Sequence, residues 1–401
     1  MKWLPVSAEE NRRRVRLLAC AVVLPLLAVS CAPSSPPTPE PPRVSTLAAG
    51  EYHTCAVTAA GGVKCWGANG YGVLGTPSVE VSTTPVDVVG LGAAVSSVAA
   101  GAGHTCALTA SGAVKCWGDN SFGQLGDADA VGGATPVDVP GLGSGVVAIS
   151  AGQVHTCALT AGGAVRCWGD DSGGQLGDGP VVGGVGPVTV VGLGSGVTAV
   201  SAGPYHTCAA TSGGSAKCWG VNNSGQLGDG SMASSDTPVD VVALSGVVEV
   251  AAGGAMTCAR TTAGSIKCWG SNLYGQLGDG SFTDSASPVA VAGITGAAGV
   301  SAGLRHVCAV LRSGSIKCWG LNGLGELGDG QGLTIDRSAT PVDVVGTLPF
   351  GTLAAEVDVG WTHTCAKTSL GRITCWGDNF WGQLGNGTND NSYVADAVEG
   401  F

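Results

Sequence analysis

Gly103-His104-Thr105-Cys106-Ala107-Leu108-Thr109-Ala110-Ser111-Gly112-Ala113-Val114-Lys115-Cys116-Trp117-Gly118 is one copy of a phrase that recurs, nearly unchanged, seven times in this chain of 401 residues. Its Trp-Gly anchor stands at Trp66, Trp117, Trp168, Trp219, Trp269, Trp319 and Trp376, with intervals of 51, 51, 51, 50, 50 and 57 residues. A fixed period of that size marks one supersecondary unit repeated, and seven such units close into a radial ring. Within a unit, residues 146–151, 155–160, 164–168 and 187–191 read as short strands separated by glycine-rich turns such as Ala161-Gly162-Gly163. No stretch of the repeats sustains a 3.6-residue period. The expected fold is all-β: a seven-bladed β-propeller with four antiparallel strands per blade over residues 44–401.

The phrases Gly103-His104-Thr105-Cys106-Ala107-Leu108-Thr109 and Trp117-Gly118-Asp119-Asn120-Ser121-Phe122-Gly123-Gln124-Leu125-Gly126 resemble the repeat of the regulator of chromosome condensation family. The resemblance spans residues 44–401 and implies the same seven-bladed ring. It does not imply one activity, because function resides in sites carried by the fold. The family includes a nuclear exchange factor for a small GTPase, a plant ultraviolet-B photoreceptor and secreted bacterial inhibitors of β-lactamases. The photoreceptor's repeated Trp before the His-Thr phrase occurs here once, as Trp361. The loops lengthened between the sixth and seventh units, 331–337 and 348–351, do not resemble the exchange factor's protruding hairpin.

The N-terminus points to export. Arg12, Arg13, Arg14 and Arg16 precede an apolar run of 14 residues, 17–30, too short for a comfortable membrane span and suited to a signal-peptide core. Leu27-Ala28-Val29-Ser30-Cys31 then resembles a bacterial lipoprotein processing site, with Cys31 the residue to be acylated. Ordinary cleavage near residue 30, leaving Cys31 unmodified, is the alternative. Residues 32–43 hold six prolines and read as an extended tether. The expected organisation is a signal peptide over 1–30, a lipid site and tether over 31–43, and a propeller held at a membrane only by that lipid.

Fourteen of the sixteen cysteines form pairs ten residues apart. The pairs are Cys55 with Cys65, Cys106 with Cys116, Cys157 with Cys167, Cys208 with Cys218, Cys258 with Cys268, Cys308 with Cys318, and Cys365 with Cys375. Across a hairpin with a three-residue turn the members face each other at a closely spaced position, within disulfide reach. Small buried thiols are the alternative. On an exported chain, disulfides are expected. Two thiolates per unit leave a tetrahedral zinc site half filled.

The net charge is −11, and removing residues 1–30, with five cationic and two anionic side chains, takes it to −14. So acidic a surface disfavours nucleic acid. The six histidines, His53, His104, His155, His206, His306 and His363, share one slot of the repeat, filled by Met256 in the fifth unit. A residue repeated around a ring reads as structural. Asp-Gly pairs such as Asp279-Gly280 read as turns, and residues 279–284 offer too few oxygens to claim calcium. The reading is therefore a non-enzyme without a cofactor, acting as a monomer.

Two positions before the histidine slot vary from unit to unit: Glu51-Tyr52, Ala102-Gly103, Gln153-Val154, Pro204-Tyr205, Gly254-Ala255, Leu304-Arg305 and Trp361-Thr362. In a closed ring the seventh and first blades are neighbours, which would gather Glu51, Tyr52, Leu304, Arg305 and Trp361 into a protein-binding patch. Packing of these loop residues on their own blade is the alternative. Tyr71, Phe122, Tyr274 and Trp381 share a second slot and read as packing residues. The expected function is an interaction propeller of the cell envelope that binds a protein; a carbohydrate or cell-wall ligand is the runner-up. Exchange-factor activity conflicts with the export signal. Radiolabelled palmitate should enter the wild-type chain and not Cys31→Ala; equal labelling of both would refute acylation at that cysteine.

Overall fold

The computed structural model describes residues 43–180, 184–331, 336–346 and 352–401. The signal segment, Cys31 and the tether up to Pro42 lie outside the described residues, as do 332–335 and 347–351 of the two lengthened loops. The described residues contain twenty-eight strands in seven four-stranded antiparallel sheets, and no helix. The first blade runs β1 (Val44–Ala49), β2 (His53–Thr58), β3 (Val63–Ala68) and β4 (Val81–Asp87), paired in that order. Every other blade repeats this from four consecutive strands. In the third blade the fourth strand is Gly184–Thr189, earlier than the expected 187–191. Val190 and Val191 instead bond Val165 O and Gly177 O of their own blade as the chain turns toward the next.

Successive side chains of a strand point to opposite faces, yet all six residues of His53–Thr58 are buried. Both faces of each second strand are covered because neighbouring blades sandwich it. The core is accordingly divided into seven clusters, each spanning one blade interface. Cys106, Leu108, Val114, Cys116, Leu125, Val139 and Leu142 of the second blade pack with Val146, Ala158 and Trp168 of the third. All seven repeat tryptophans are fully buried in this way.

A polar link accompanies each cluster. The Trp117 indole Nε1 donates to Val73 O of the preceding blade at 2.7 Å, and Thr105 Oγ1 donates to the same oxygen at 3.0 Å. A hydroxyl has one proton. With that proton committed, Thr105 Oγ1 accepts from His53 Nε2 at 2.9 Å, which fixes the tautomer: the proton is on Nε2 and Nδ1 is bare. The same triad recurs as His104–Thr156–Trp168 on Gln124 O, His155–Thr207–Trp219 on Gln175 O, His206–Thr257–Trp269 on Gln226 O and His306–Thr364–Trp376 on Glu326 O. Burial depresses the imidazoles to about 3 at His53, His155, His306 and His363, and about 4 at His104 and His206. They are neutral throughout the physiological range, and their shared slot is a joint between blades.

The interface between the fifth and sixth blades departs from this pattern on both sides. Met256 occupies the histidine slot and Val307 the threonine slot it faces, both fully buried in one cluster, while Trp319 keeps its bond to Gln276 O at 3.0 Å. An apolar pair replaces a polar pair. Introducing the histidine alone would leave a buried imidazole without a partner.

The ring closes without sharing a strand between its ends. Thr54 Oγ1 meets His363 Nε2 at 2.8 Å and Gln383 O at 2.9 Å, and Trp66 Nε1 donates to Gln383 O at 2.9 Å, the same triad as elsewhere. Phe401 adds an aromatic contact to Trp66, with ring centroids 5.9 Å apart. Around the axis, Gly50, Gly101, Gly152, Gly203, Gly253, Gly303 and Gly360 approach so closely that a Cβ on any of them would strike the carbonyl oxygen of the next. Glycine is required there for space, with Gly360 against Gly50 O completing the circle.

All seven cysteine pairs are bonded as disulfides across the second and third strands of their blades. Cys55 is joined to Cys65, Cys106 to Cys116, Cys157 to Cys167 and Cys208 to Cys218. Cys258 is joined to Cys268, Cys308 to Cys318 and Cys365 to Cys375. In each pair the two residues are directly opposed in the ladder, as the ten-residue spacing predicts, with Cα atoms 4.0–4.1 Å apart. The alternative of free buried thiols does not hold. The sulfurs also face the next blade: Cys106 Sγ lies 4.0 Å from Thr156 Oγ1. Each disulfide thus closes a hairpin and forms part of an interface.

A double-mutant cycle tests the joint between blades. Met256→His should lower the unfolding midpoint by an amount equivalent to about 1–3 kcal/mol, the cost of an unpartnered buried polar group. Met256→His with Val307→Thr should recover most of that loss, giving a favourable coupling of about 1–2 kcal/mol; simple additivity would refute the joint.

Candidate binding face

Strand directions place the first bend of each blade and its long third loop on one face of the ring. These long loops are internally built. Asn120 Oδ1 accepts the Leu125 amide at 3.0 Å, and its Nδ2 donates to Asp127 O and Ala130 O. Gln124 Oε1 accepts the Phe122 amide at 2.9 Å, while its Nε2 donates to Asp119 Oδ2. The amide–glutamine bond holds the residue before Gly123 at the loop's edge, side chain outward. Gln276 and Gln383 hold Tyr274 and Trp381 likewise.

That geometry corrects the packing assignment of the aromatic slot. Tyr71, Phe122 and Trp381 are 62%, 54% and 38% exposed, and all three line a hollow of about 630 Å³ across the seventh, first and second blades. Its floor includes Ala102 and Gly103, and its wall includes Glu51, Tyr52, Glu80 and Asp119. Tyr52 packs against Trp381 with centroids 6.4 Å apart. The Tyr52 hydroxyl bonds Glu51, and burial with that neighbour raises the phenol to about 12; burial also raises the Glu51 carboxyl.

A second hollow, about 570 Å³, lies across the fourth, fifth and sixth blades. Its floor includes Gly254 and Ala255, and Tyr205, Tyr274, Leu304, Arg305 and Trp361 stand around it. The Arg305 guanidinium lies over the Tyr274 ring, 5.0 Å from its centroid. The structure therefore divides the five residues expected in one patch: Glu51 and Tyr52 line the first hollow, and Leu304, Arg305 and Trp361 line the second. Leu304 and Trp361 also border the mouth of the axial channel, and Gln153 borders that mouth and both hollows.

Two loop positions depart from the pattern in ways that carry charge inward. Glu326 stands where five blades have glutamine, and it is fully buried. Its Oε2 accepts the Leu324 amide at 2.8 Å, but Oε1 has no partner because Leu321 occupies the place of Asp119, Asp170 or Asp378. Burial raises its pKa. Asp171 takes the asparagine slot of the third blade and accepts the Leu176 amide at 2.9 Å. Burial, with Asp178, Asp170 and Asp236 nearby, raises it to about 6.

Comparison with known proteins fits this architecture. The RCC1-like domain model matches residues 23–352 and the regulator of chromosome condensation (RCC1) repeat matches residues 354–383, so the chain belongs to the RCC1-like domain family. Human E3 ubiquitin-protein ligase HERC2 is 38% identical over 207 residues, half of this chain and 4% of the ligase. The ultraviolet-B receptor UVR8 of Arabidopsis thaliana is 34% identical over 202 residues, half of this chain and 46% of the receptor. The alignments thus span less than half the length of either relative. Human WBSCR16 superimposes with a TM-score of 0.76 at 24% identity, covering 84% of this chain and 94% of that one. Prp20p of Saccharomyces cerevisiae, described with its binding to Gsp1p and histones, gives 0.75 at 22% identity, covering 89% and 87%. These two likenesses establish the fold.

Replacing the two misplaced carboxyls tests the loop architecture. A carboxyl whose folded pKa is raised loses stability as pH climbs from its unfolded value through its folded one. Glu326→Gln and Asp171→Asn should therefore both raise the unfolding midpoint at pH 7.5. The gain of Asp171→Asn should be full above about pH 6 and vanish below about pH 4, and that of Glu326→Gln should shrink as pH falls toward 4.5. Gains independent of pH would contradict the assignment.

Proposed function

We propose that this chain is a non-catalytic, exported interaction propeller that binds a protein partner through its loop-rich face. The observation that carries the reading is the pair of aromatic-walled hollows, set where the repeat frame leaves residue choice open. Interface anchors are most often Trp, Tyr and Arg in well-packed pockets, and Trp381, Tyr52, Tyr205, Trp361 and Arg305 stand at these two sites. The non-catalytic part is supported by the histidines: each is buried, neutral and committed through Nε2 to the next blade. Export is supported by the seven buried disulfides, which suit an oxidising compartment. The lipid on Cys31 would hold the ring at a membrane of the cell envelope.

A carbohydrate ligand is the second reading, and one observation favours it: the hollows are separate, and the exposed rings of Tyr71 and Phe122 could stack on sugar. Affinity capture from envelope extracts separates the two. Tyr52→Ala combined with Trp381→Ala, or Tyr205→Ala combined with Trp361→Ala, should weaken retention of a specific protein roughly thirtyfold, about 2 kcal/mol. Leu370→Ala, on a turn of the opposite face, should leave it unchanged. Retention released by oligosaccharide would transfer the face to the carbohydrate reading, and retention indifferent to both double variants would overturn the face assignment.

A further inference from the structure

We propose that the first hollow, beside Tyr71 and Asp119, receives a single lysine or arginine side chain from the protein partner. The proposal rests on the protein-binding reading and names the chemistry of the partner at this site.

The argument begins with a contact the ring makes elsewhere. In two blades the residue immediately before the histidine slot reaches the aromatic slot of the preceding blade. Arg305 of the sixth blade does so over Tyr274 of the fifth, 5.0 Å from its centroid. Tyr52 of the first blade does so at Trp381 of the seventh, 6.4 Å between centroids. In the second blade the corresponding residue is Gly103, which faces Tyr71 of the first blade with nothing. A Cβ at Gly103 would stand 3.3 Å from the Tyr71 ring and 3.3 Å from Asp119 Cβ. The Tyr71 ring therefore packs against Gly103 itself and, with no side chain at that position to lie over it, stays 62% exposed on the hollow.

Charge selects what could enter. Glu51, Glu80 and Asp119 line this hollow, and no lysine or arginine is among its lining residues. The second hollow is the reverse, lined by Arg305 and by no carboxylate. Asp119 has part of its capacity committed, accepting the Ser121 amide and hydroxyl and the Gln124 amide, and Glu51 is bonded by Tyr52. Neither forms an ion pair with a cation of the chain among the described residues. A cation over Tyr71 would gain the attraction of the ring face and of these carboxylates together. Phe122 and Trp381 would cover the aliphatic stem of such a side chain. A neutral residue would gain the apolar contact alone.

The test uses the full chain with its disulfides formed. A seven-residue Gly-Ser peptide with a central lysine, arginine or norleucine is titrated calorimetrically at two salt concentrations, alongside a neutral chitin tetrasaccharide. The lysine and arginine peptides should bind at least tenfold more tightly than the norleucine peptide, and added salt should weaken them. Gly103→Arg, which supplies an internal cation where Arg305 supplies one, should reduce their binding at least tenfold. Tyr71→Leu, at an exposed position, should reduce it several-fold with an unchanged unfolding midpoint, and Leu370→Ala, on a turn of the opposite face, should not reduce it. Equal binding of norleucine, or no binding of any peptide while partner capture still depends on Tyr52 and Trp381, would overturn the cation site and leave the protein-binding face standing. Binding of the tetrasaccharide alone, lost in Tyr71→Leu, would overturn both.

Discussion

Each blade is held to the one before it by a carbonyl oxygen that receives the Trp indole, and in six of seven interfaces the Thr hydroxyl as well. The rest of the ring depends on this link. In an apolar interface, a displaced blade would strand an indole N–H, a hydroxyl and an imidazole away from water, and an unmet buried donor is costlier than a met one is favourable. The apolar clusters supply attraction without direction; the polar triads fix the angle and height of each blade. The Met256–Val307 interface shows that the histidine–threonine bond can be exchanged for apolar packing, provided both partners change. The Trp319 bond persists there, which identifies the indole as the constant part of the link.

A rigid frame of this kind frees the loop face. An Asn or Asp side chain in each third loop, joined in five blades by Gln, satisfies the loop backbone internally, so the outward aromatic slot and the residue before the histidine carry little structural duty. Their combinations produce the two hollows: a small pair, Ala102-Gly103 or Gly254-Ala255, lies between blades that carry larger side chains. The hollows then differ in charge because one contains Arg305 and the other Glu51, Glu80 and Asp119. One architecture offers two chemically opposite recesses.

Much of this was legible in the sequence. The period gave away the seven units, the ten-residue spacing placed each cysteine opposite its partner, and the uniform slot of the histidines marked them as structural. These features repeat within one blade, where local spacing governs geometry. What escaped depends on contacts between blades. Val307 answers Met256 across fifty-one positions, and nothing local ties the two. The hollows are hard to see in a sequence because a recess is made by missing side chains, here at Ala102, Gly103, Gly254 and Ala255. The aromatic slot reads as packing in the sequence because the glutamine bond that turns Trp381 outward is visible only in three dimensions.

The closure of the ring has a consequence for how such a molecule can be rearranged. No sheet borrows a strand from the other end of the chain, and the junction between Gly360 and Gly50 is built like the other six. Val44 accordingly lies beside Gly371, its amide bonded to Gly371 O at 2.9 Å. With each blade self-contained, the order of blades around the axis is independent of where the chain is cut: the gene could be reopened at any connection between blades and its propeller ends joined. The polypeptide is linear, but its architecture is cyclic.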